Sequence, residues 1–467
     1  MIQMHFLGAA GTVTGSRYLL ANDKLRVLVD CGLFQGYKNL RLRNWEEPPF
    51  DPRTIDAVLL THAHLDHSGQ LPLLVKRGFR GKIRCSEATY ELCKLLLADS
   101  AHLQEEEAEY ANRHRLSKHQ PALPLYDGRD VARALQQFEP VPENRALQVI
   151  PGLGAQWIPN GHILGSCAIV CEVDGIRLLF SGDLGRPQDI IMKAPQEIAG
   201  EIDYLVVEST YGNRTHAPAD PAQQLQEIIS ATSQRGGSLL LPAFAVGRAQ
   251  TVLYLIWQLM RQGKIPPLPV YLDSPMATSA THIYRRFAPQ MQIDDDDCEA
   301  MIAMTRFVDT PDESRRINAE RGSKIVISAS GMATGGRVLH HLKNMAPDAR
   351  NAIVFCGFQA GGTRGASLVG GAATVRIHGQ DVPIRAPVFN LDTLSAHADG
   401  GEIVDWLRQF KSAPQKTFIT HGEPDAADAM RLQIERGLQW SCTVPQYRDS
   451  FELGKGGCHP LRPHLPD

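Results

Sequence analysis

The sequence lacks the features that mark several common classes of protein. No run of 18 apolar residues occurs, which excludes a membrane-spanning helix. The first residues lack a basic region followed by an uninterrupted apolar stretch, so they do not form a secretory signal. The 9 cysteines include no CxxC pair and no dense framework, which indicates reduced thiols. These absences predict a cytoplasmic protein with no membrane partner.

Charge of one sign is not in excess either. Lys and Arg total 48 and Asp and Glu total 51, a net charge of -3, so any nucleic-acid site must be a local basic patch. A Walker A loop, a complete GxGxxG fingerprint and a GxSxG elbow are missing, so nucleotide-cofactor and serine-hydrolase chemistry lack support. The length of 467 residues predicts two or three domains with a sizeable core.

The pattern of apolar residues and glycines divides the chain into regions. Short strands joined by glycine turns are predicted in the first third. Strands and helices alternate in the middle third, which predicts a parallel sheet with right-handed crossovers. The helices there are predicted at residues 220–234, 248–262, 277–287 and 335–345. The acidic run Asp294–Asp297 is predicted to be a solvated loop.

The strongest chemical signal is the segment His62-Ala63-His64-Leu65-Asp66-His67, which follows an apolar strand. In an extended chain His62 and His64 project to the same side, so both rings can reach one metal. A turn after Leu65 would direct Asp66 and His67 towards a second metal. Zinc binds imidazole nitrogen and carboxylate oxygen. The alternative interpretation is a surface histidine cluster or a hydrogen-bonded core network.

Further polar residues stand at similar positions along the chain. Asp30, His162, Asp183 and His421 each follow an apolar strand, and His397 lies in a Ser-Ala-His-Ala-Asp segment. Taken singly, each has an ordinary explanation as a turn cap or a hydrogen-bonded histidine. Active sites of α/β proteins gather at strand ends. The repeated arrangement therefore predicts one shared site.

These ordered motifs resemble those of the metallo-β-lactamase fold hydrolases. Glu208 in Glu-Ser-Thr-Tyr-Gly, together with His397 and the His421-Gly-Glu segment, narrows the resemblance to the β-CASP nucleases that process or degrade RNA. The resemblance implies an α/β fold, a metallo-β-lactamase αββα sandwich with an inserted α/β β-CASP domain. The sandwich would comprise residues 1–205 and 386–467, the inserted domain residues 206–385, and substrate would enter between them.

The resemblance also implies a cofactor, two Zn²⁺ per chain, and a role for each site residue. The implied ligands are His62, His64 and His162 on one zinc, Asp66, His67 and His421 on the other, and Asp183 bridging the two. Asp30 would orient a ligand imidazole from behind. The implied catalytic residues are Asp66, Glu208 and His397. Glu208 would hold His397, which would stabilise charge or protonate the leaving oxygen.

Three loops of small residues in the middle third predict contacts with a phosphate backbone. They span residues 242–248, 330–337 and 357–365, each ahead of a predicted helix or rich in glycine, where backbone N–H groups favour anions. The candidate substrate-binding residues are Arg248, Ser330, Gly331, Arg337, Thr363 and Arg364. Phe244 and Phe358 are candidates for stacking on a base. Ordinary α/β turns with solvent-facing arginines are the alternative.

The predicted function is a zinc-dependent phosphodiesterase that cleaves single-stranded RNA through water activated by two metals. A DNA nuclease of the same family remains open, because nothing in the sequence reads a 2′-OH. A non-catalytic RNA-binding partner and a small-molecule metallohydrolase are further alternatives. Endonuclease or exonuclease action, polarity, RNA target and oligomeric state, a homodimer included, stay undecided.

Overall fold

The computed structural model describes residues 1–216, 219–357, 359 and 361–461. Phe358 and the end of the predicted C-terminal part, residues 462–467, lie outside the described residues. The chain divides into two compact units. Unit 1 comprises Met1–Gln188, Ala194–Thr215 and His397–Asp467, and unit 2 comprises Asp189–Lys193 and His216–Ala396. No described helix is long and apolar enough to cross a membrane.

Strands and helices alternate along most of the chain. The strands are β1 (Ile2–Phe6), β2 (Tyr18–Ala21), β3 (Arg26–Val29), β4 (Ala57–Leu59), β5 (Lys82–Cys85), β6 (Phe138–Pro140), β7 (Leu147–Ile150), β8 (Leu153–Pro159), β9 (Cys167–Val173), β10 (Ile176–Phe180), β11 (Tyr204–Val207), β12 (Leu239–Pro242), β13 (Val270–Asp273), β14 (Thr305–Phe307), β15 (Ile325–Ser328), β16 (Ala352–Phe355), β17 (Thr374–Ile377), β18 (Gln380–Pro383), β19 (Val388–Asn390), β20 (Lys416–Ile419), β21 (Cys442–Thr443), β22 (Ser450–Gly454) and β23 (Gly457–Leu461). The helices are α1 (Lys38–Leu42), α2 (Leu65–Ser68), α3 (Leu71–Lys76), α4 (Glu87–Arg113), α5 (Gly128–Leu135), α6 (Pro221–Gln234), α7 (Arg248–Arg261), α8 (Pro275–Arg286), α9 (Asp295–Met304), α10 (Pro311–Ala319), α11 (Arg337–Met345), α12 (Arg364–Val369), α13 (Gly400–Leu407) and α14 (Pro424–Leu438).

Two mixed sheets form the centre of unit 1. Their strand orders are β23-β22-β1-β2-β3-β4-β5-β6 and β21-β20-β11-β10-β9-β8-β7. Apolar side chains of both sheets, among them Phe6, Trp157 and Phe180, pack into one core. Trp157 is fully buried there, and its indole N–H donates to the backbone oxygen of Leu60 at 3.1 Å. A core side chain thus fixes the chain just before His62.

Helices cover the outer faces of these sheets. The face of the second sheet that points away from the shared core packs against α13 and α14, through residues such as Ile403, Trp406 and Met430. On the side of the first sheet, α5 packs against α3 and α4, and α4 contacts β6. Unit 1 is therefore an αββα sandwich, and the predicted fold class is confirmed.

Unit 2 contains the alternation predicted for the middle third. Its strands β14-β13-β15-β12-β16-β19 form one parallel sheet, and β17 and β18 form a separate hairpin. The helices α6, α7, α8 and α11 fall where the sequence predicts them. The prediction of a solvated loop at Asp294–Asp297 is wrong, because Asp294 caps α9 by accepting the N–H of Asp297 at 2.7 Å. Acidic residues in a first turn are favoured by the helix dipole.

The chain passes from one unit to the other slightly after the predicted domain boundaries. Strand β11 pairs with β10 and β20 in unit 1, and β19 pairs with β16 in unit 2. The compact units therefore change at 215/216 and 396/397. The boundaries at 205/206 and 385/386 stay predictions.

Candidate active site

Six of the predicted site residues lie just beyond strand ends of unit 1. Asp30 follows β3, His62 follows β4, His162 follows β8, Asp183 follows β10, Glu208 follows β11 and His421 follows β20. Since β10, β11 and β20 are parallel neighbours, their carboxyl ends meet at one edge of the sheet. The geometry brings these side chains together, as the sequence indicates.

His62, His64 and His162 form a first cluster with Asp183. The Nδ1 atom of His64 lies 3.2 Å from Nε2 of His62 and 3.2 Å from Nε2 of His162. The Oδ2 atom of Asp183 lies 3.5 Å from Nε2 of His62 and 3.6 Å from Nε2 of His162. Burial lowers the pKa of His64 to about 4 and that of His62 well below its ordinary value. These rings are therefore neutral at pH 7 and can offer lone pairs.

Asp66, His67 and His421 form a second cluster on the other side of Asp183. The turn predicted after Leu65 is the helix α2, which carries Asp66 and His67. The Nε2 atom of His67 lies 3.1 Å from Nε2 of His421, which is 3.3 Å from Oδ2 of Asp66. The Oδ1 atom of Asp183 lies 3.2 Å from Nε2 of His67. One oxygen of Asp183 thus faces each cluster, which is the arrangement of a bridging carboxylate.

The donor atoms fit two metal ions. Ligands ~2.0–2.2 Å from a tetrahedral zinc lie ~3.3–3.6 Å from one another, close to the 3.2–3.6 Å separations in the first cluster. Within the described part of the chain, buried Oδ1 of Asp183 accepts no hydrogen bond. Burial opposes a charge on His67, yet Asp183, Asp30 and Asp66 raise its pKa well above its ordinary value. The carboxylates therefore create a negative potential that favours a cation.

Asp30 supports the second cluster from behind. Its Oδ2 lies 2.7 Å from Nδ1 of His67, so the opposite nitrogen of that ring is directed into the cluster. The backbone N–H of Thr61 donates to Oδ1 of Asp30 at 2.8 Å, and the Thr61 hydroxyl donates to Oδ2 at 2.9 Å. Both residues are almost fully buried. Asp30 thus contacts a proposed ligand imidazole, and its role towards a metal stays a prediction.

Asn at position 30 should weaken metal binding without unfolding the protein. The Asp30→Asn variant keeps a side chain that tolerates the left-handed backbone (φ 59°) but loses the charge facing His67. Loss of such a support lowers metal affinity by about 10–100-fold. Titration calorimetry of metal-free protein with Zn²⁺ measures the change. Asp174→Asn, at another left-handed position in an exposed turn (φ 52°), is the matched control and should bind normally.

Glycines allow the loops of the site to approach one another closely. A Cβ atom at Gly32 would lie 1.6 Å from the backbone oxygen of Asp66. One at Gly185 would lie 2.1 Å from the backbone carbon of Gly161, next to His162. Side chains at these two positions would displace the segments that carry ligands. The glycine-rich turns of the sequence are therefore part of the site's construction.

Glu208 and His397 form a pair beside the two clusters. The Nδ1 atom of His397 lies 3.2 Å from both carboxylate oxygens of Glu208, which is buried. The backbone N–H of Leu184 donates to Oε1 of Glu208 at 2.5 Å, one residue after Asp183. Burial opposes protonation of His397, but the charge of Glu208 and its hydrogen bond outweigh burial and raise the pKa of His397 to about 9. The charge of Glu208 therefore favours the imidazolium form of the ring.

Three predicted substrate contacts of unit 2 are arginines that make internal contacts. Arg337 donates to Oδ1 of Asp273 at 2.7 Å and to the backbone oxygen of Asp309 at 2.6 Å. Arg364 donates to backbone oxygens of Arg376 and Thr334. Arg248 is largely buried at the start of α7. Arg337 and Arg364 therefore hold their loops together rather than facing solvent freely. The contact of all three arginines with RNA stays a prediction.

The other three predicted contacts of unit 2 are parts of its loops. The hydroxyl of Ser330 accepts the backbone N–H of Thr334 at 3.2 Å. The backbone oxygen of Gly331 accepts from the side chain of Gln359 at 3.2 Å. The hydroxyl of Thr363 caps α12 by accepting the N–H of Ala366 at 3.2 Å. Their roles towards substrate stay predictions as well.

Sequence reasoning missed the residues that join the ligand loops. The amide of Asn160 donates to the backbone oxygens of Ser181 at 2.8 Å and Asp183 at 2.7 Å, which ties the His162 loop to the Asp183 loop. The hydroxyl of Thr210 lies 3.1 Å from Nδ1 of His421. Position offers a signal for both: Asn160 lies two residues before His162, and Thr210 two residues after Glu208.

Family models match most of the chain. The metallo-beta-lactamase superfamily matches residues 10–232, and the Beta-Casp domain matches residues 249–368. The Zn-dependent metallo-hydrolase RNA specificity domain matches residues 381–445. The matches follow one another in the order of the fold described above.

Named proteins resemble the chain over nearly its whole length. It is 36% identical over 445 residues to "Ribonuclease TTHA0252" of Thermus thermophilus, covering 93% of this chain and 96% of that protein. It is 28% identical to "Transcription termination factor FttA" of Methanocaldococcus jannaschii, covering 97% of this chain and 72% of that protein. A solved protein of unknown function from Enterococcus faecalis shares the fold, with a TM-score of 0.55 at 12% identity over 97% of this chain and 100% of that chain.

An αββα sandwich with two histidine–carboxylate clusters at its strand ends defines a metal-dependent hydrolase. The chain belongs to the metallo-β-lactamase superfamily and, within it, to the β-CASP family of nucleases. The family membership predicted from the sequence motifs is thereby confirmed.

Proposed function

We propose that this protein is a ribonuclease that hydrolyses phosphodiester bonds of single-stranded RNA with two zinc ions. The observation that carries the proposal is the position of the Glu208–His397 pair beside two ligand clusters that share Asp183. The RNA specificity domain matched at residues 381–445 and the ribonuclease name of the Thermus relative support RNA as the substrate.

The two clusters supply the metal-binding part of the proposed site. His62, His64 and His162 would hold one ion, Asp66, His67 and His421 the other, and Asp183 would touch both. Divalent ions held there would lower the pKa of water and offset negative charge on phosphoryl oxygens. Although burial disfavours a charge on Asp183, the rings of His421 and His67 hold its pKa well below the ordinary value. Asp183 therefore stays ionised and ready to bind cations.

The pair Glu208–His397 supplies the acid. Glu208 is fixed by the N–H of Leu184 and faces Nδ1 of His397, so a proton passed to a leaving oxygen would come from Nε2. Holding the ring by one nitrogen fixes its plane, and the charge of Glu208 keeps the ring protonated. Such an acid contributes ~10²–10⁴-fold to the rate.

Labelled single strands test the proposal. RNA and DNA of the same sequence, labelled at the 5′ or the 3′ end, are incubated with protein as purified, with chelator, and with Zn²⁺ restored. We expect cleavage of RNA that chelator abolishes and Zn²⁺ restores, and the two labels report polarity. Cleavage of DNA alone would make the protein a DNA nuclease. Binding of RNA without cleavage by the metal-loaded protein would make it an RNA-binding partner.

A further inference from the structure

Unit 1 presents exposed aromatic and basic side chains in the segment Tyr37–Trp45, which we name the aromatic–basic platform. It contains the helix α1, which buries none of its residues. Tyr37 is 58% exposed, Leu42 53% and Trp45 56%. The basic residues between them are Lys38, Arg41 and Arg43. A segment that contributes so little to the core, yet exposes large apolar side chains, points to a binding surface.

The platform is held rigidly at its base. Asn44 is buried, accepts the backbone N–H of Phe34 at 2.9 Å and donates to its oxygen at 2.7 Å. Gln70 donates to the same Asn44 side chain at 2.6 Å. The guanidinium of Arg43 lies 4.2 Å from the ring centre of Tyr447. Because the base is fixed, the exposed rings of the platform lose little further freedom when they bind a ligand.

The residues just before the platform are bonded to the turn that carries Asp66 and His67. The backbone N–H of Cys31 donates to the oxygen of His67 at 2.7 Å, and that of Leu33 donates to the oxygen of Leu65 at 2.8 Å. The five Cα–Cα steps from Gly32 to Tyr37 span at most ~18 Å. A single-stranded nucleic acid that is bound at the second cluster can therefore reach the platform within a few nucleotides.

The charge of the platform matches a polyanion. The carboxylates that follow it have partners: Glu46 lies 3.6 Å from Arg448 and Glu47 lies 3.5 Å from Arg77. Lys38 and Arg41 are both exposed. The platform is thus locally basic on a chain whose net charge is -3. Aromatic rings beside cations are the usual means by which proteins hold single strands, because bases stack and phosphates pair with charges.

We propose that the aromatic–basic platform binds single-stranded RNA next to the active site. Bases stack on Tyr37 and Trp45, and the phosphates between them pair with Lys38 and Arg41. This inference rests on the proposed function, since it concerns the same substrate. It adds a binding surface on unit 1 to the loops predicted on unit 2.

Tryptophan fluorescence reports contact with the platform directly. Among the 5 tryptophans, Trp45 is 56% exposed and the others, Trp157, Trp257, Trp406 and Trp440, are at most 9% exposed. Titration of metal-loaded His397→Ala protein with oligouridine should quench the emission in a saturable way. Adding Trp45→Phe should abolish the quenching while anisotropy of labelled RNA still shows binding, because phenylalanine also stacks.

Affinity measurements test the contribution of each part. Trp45→Ala and Tyr37→Ala should each weaken RNA binding about 5- to 100-fold. Tyr110→Ala, at an aromatic ring of equal exposure (58%) on α4, is the matched control and should bind normally. The double variant Lys38→Ala/Arg41→Ala should reduce the slope of log affinity against log salt by ~1.4.

The outcomes separate this proposal from the proposed function. RNA that is bound and cleaved by the wild type, with no quenching of Trp45 and unchanged affinity in the alanine variants, overturns the platform and leaves the ribonuclease standing. If those variants instead change the sedimentation of the protein, the platform is a protein interface and the RNA proposal is wrong. If the wild type neither binds nor cleaves RNA, the proposed function itself fails.

Discussion

Asn in place of Asp183 is expected to remove metal from both clusters and to reduce phosphodiester cleavage by ~10³-fold or more. The two oxygens of Asp183 face different clusters, so one substitution affects both. Asparagine keeps the volume but lacks the negative charge that offsets two dications. The several kcal/mol that a metal pair supplies to the transition state would be lost with the metal. Inductively coupled plasma mass spectrometry measures the metal, and labelled RNA the rate.

A control must separate metal loss from unfolding. Asp203→Asn changes a partly buried aspartate that accepts the N–H of Arg177 at 2.8 Å in the same sheet, away from the clusters. It should keep metal and activity, and both variants should keep the circular dichroism of the wild type. Two tightly bound ions and wild-type turnover in Asp183→Asn would show that Asp183 does not bridge the metals.

The αββα sandwich is implied by the family resemblance, whereas the strand–helix alternation of unit 2 and the convergence of the ligands could be predicted because both depend on short sequence patterns. Apolar strands followed by a polar residue and a glycine identify Asp183 and His162 locally, and parallel pairing brings strand ends to one edge. The segment from His62 to His67 needs only one turn to serve two clusters, and α2 provides that turn. Such features require no knowledge of distant parts of the chain.

Features that depend on distant partners could not be predicted. Thr61 bonds Asp30 across 31 residues, and Asn160 bonds Asp183 across 23 residues, so neither role is visible in a local pattern. The sequence predicts that Arg337 contacts phosphate from a loop, but its guanidinium donates to the carboxylate of Asp273, 64 residues away. The exposure of Trp45 is likewise a tertiary fact, since sequence alone does not distinguish an exposed ring from a core ring.

The two layers of the site have different physical tasks. Asp30 bonds the ring nitrogen of His67 opposite the donor atom, and Asn160 bonds the backbone of the Asp183 loop, so both set the direction in which a ligand points. Glu208 acts on charge, since it raises the pKa of His397. Variants of the first kind should change metal affinity, and variants of the second kind should change the rate at full metal occupancy. Measuring both quantities for every variant tests this division.

His397→Ala is expected to slow RNA cleavage by ~10²–10⁴-fold while the metal content stays that of the wild type. His397 lies outside the two clusters formed by the seven proposed ligands, and its Nδ1 is held by Glu208. Glu208→Gln should also slow cleavage, because the neutral amide no longer favours the protonated ring. Single-turnover rates on labelled RNA and metal analysis of the same samples measure both effects.

The leaving group distinguishes an acid from a residue that only supports the loop. Bis(p-nitrophenyl) phosphate releases nitrophenolate, which leaves without being protonated, so His397→Ala should hydrolyse it at close to the wild-type rate. Added imidazole should restore part of the RNA cleavage by this variant. His102→Ala, at an exposed histidine of unit 1 on α4, is the control and should behave as the wild type with both substrates. Equal losses on both substrates, or loss of metal, would show that His397 builds the site rather than acting as its acid.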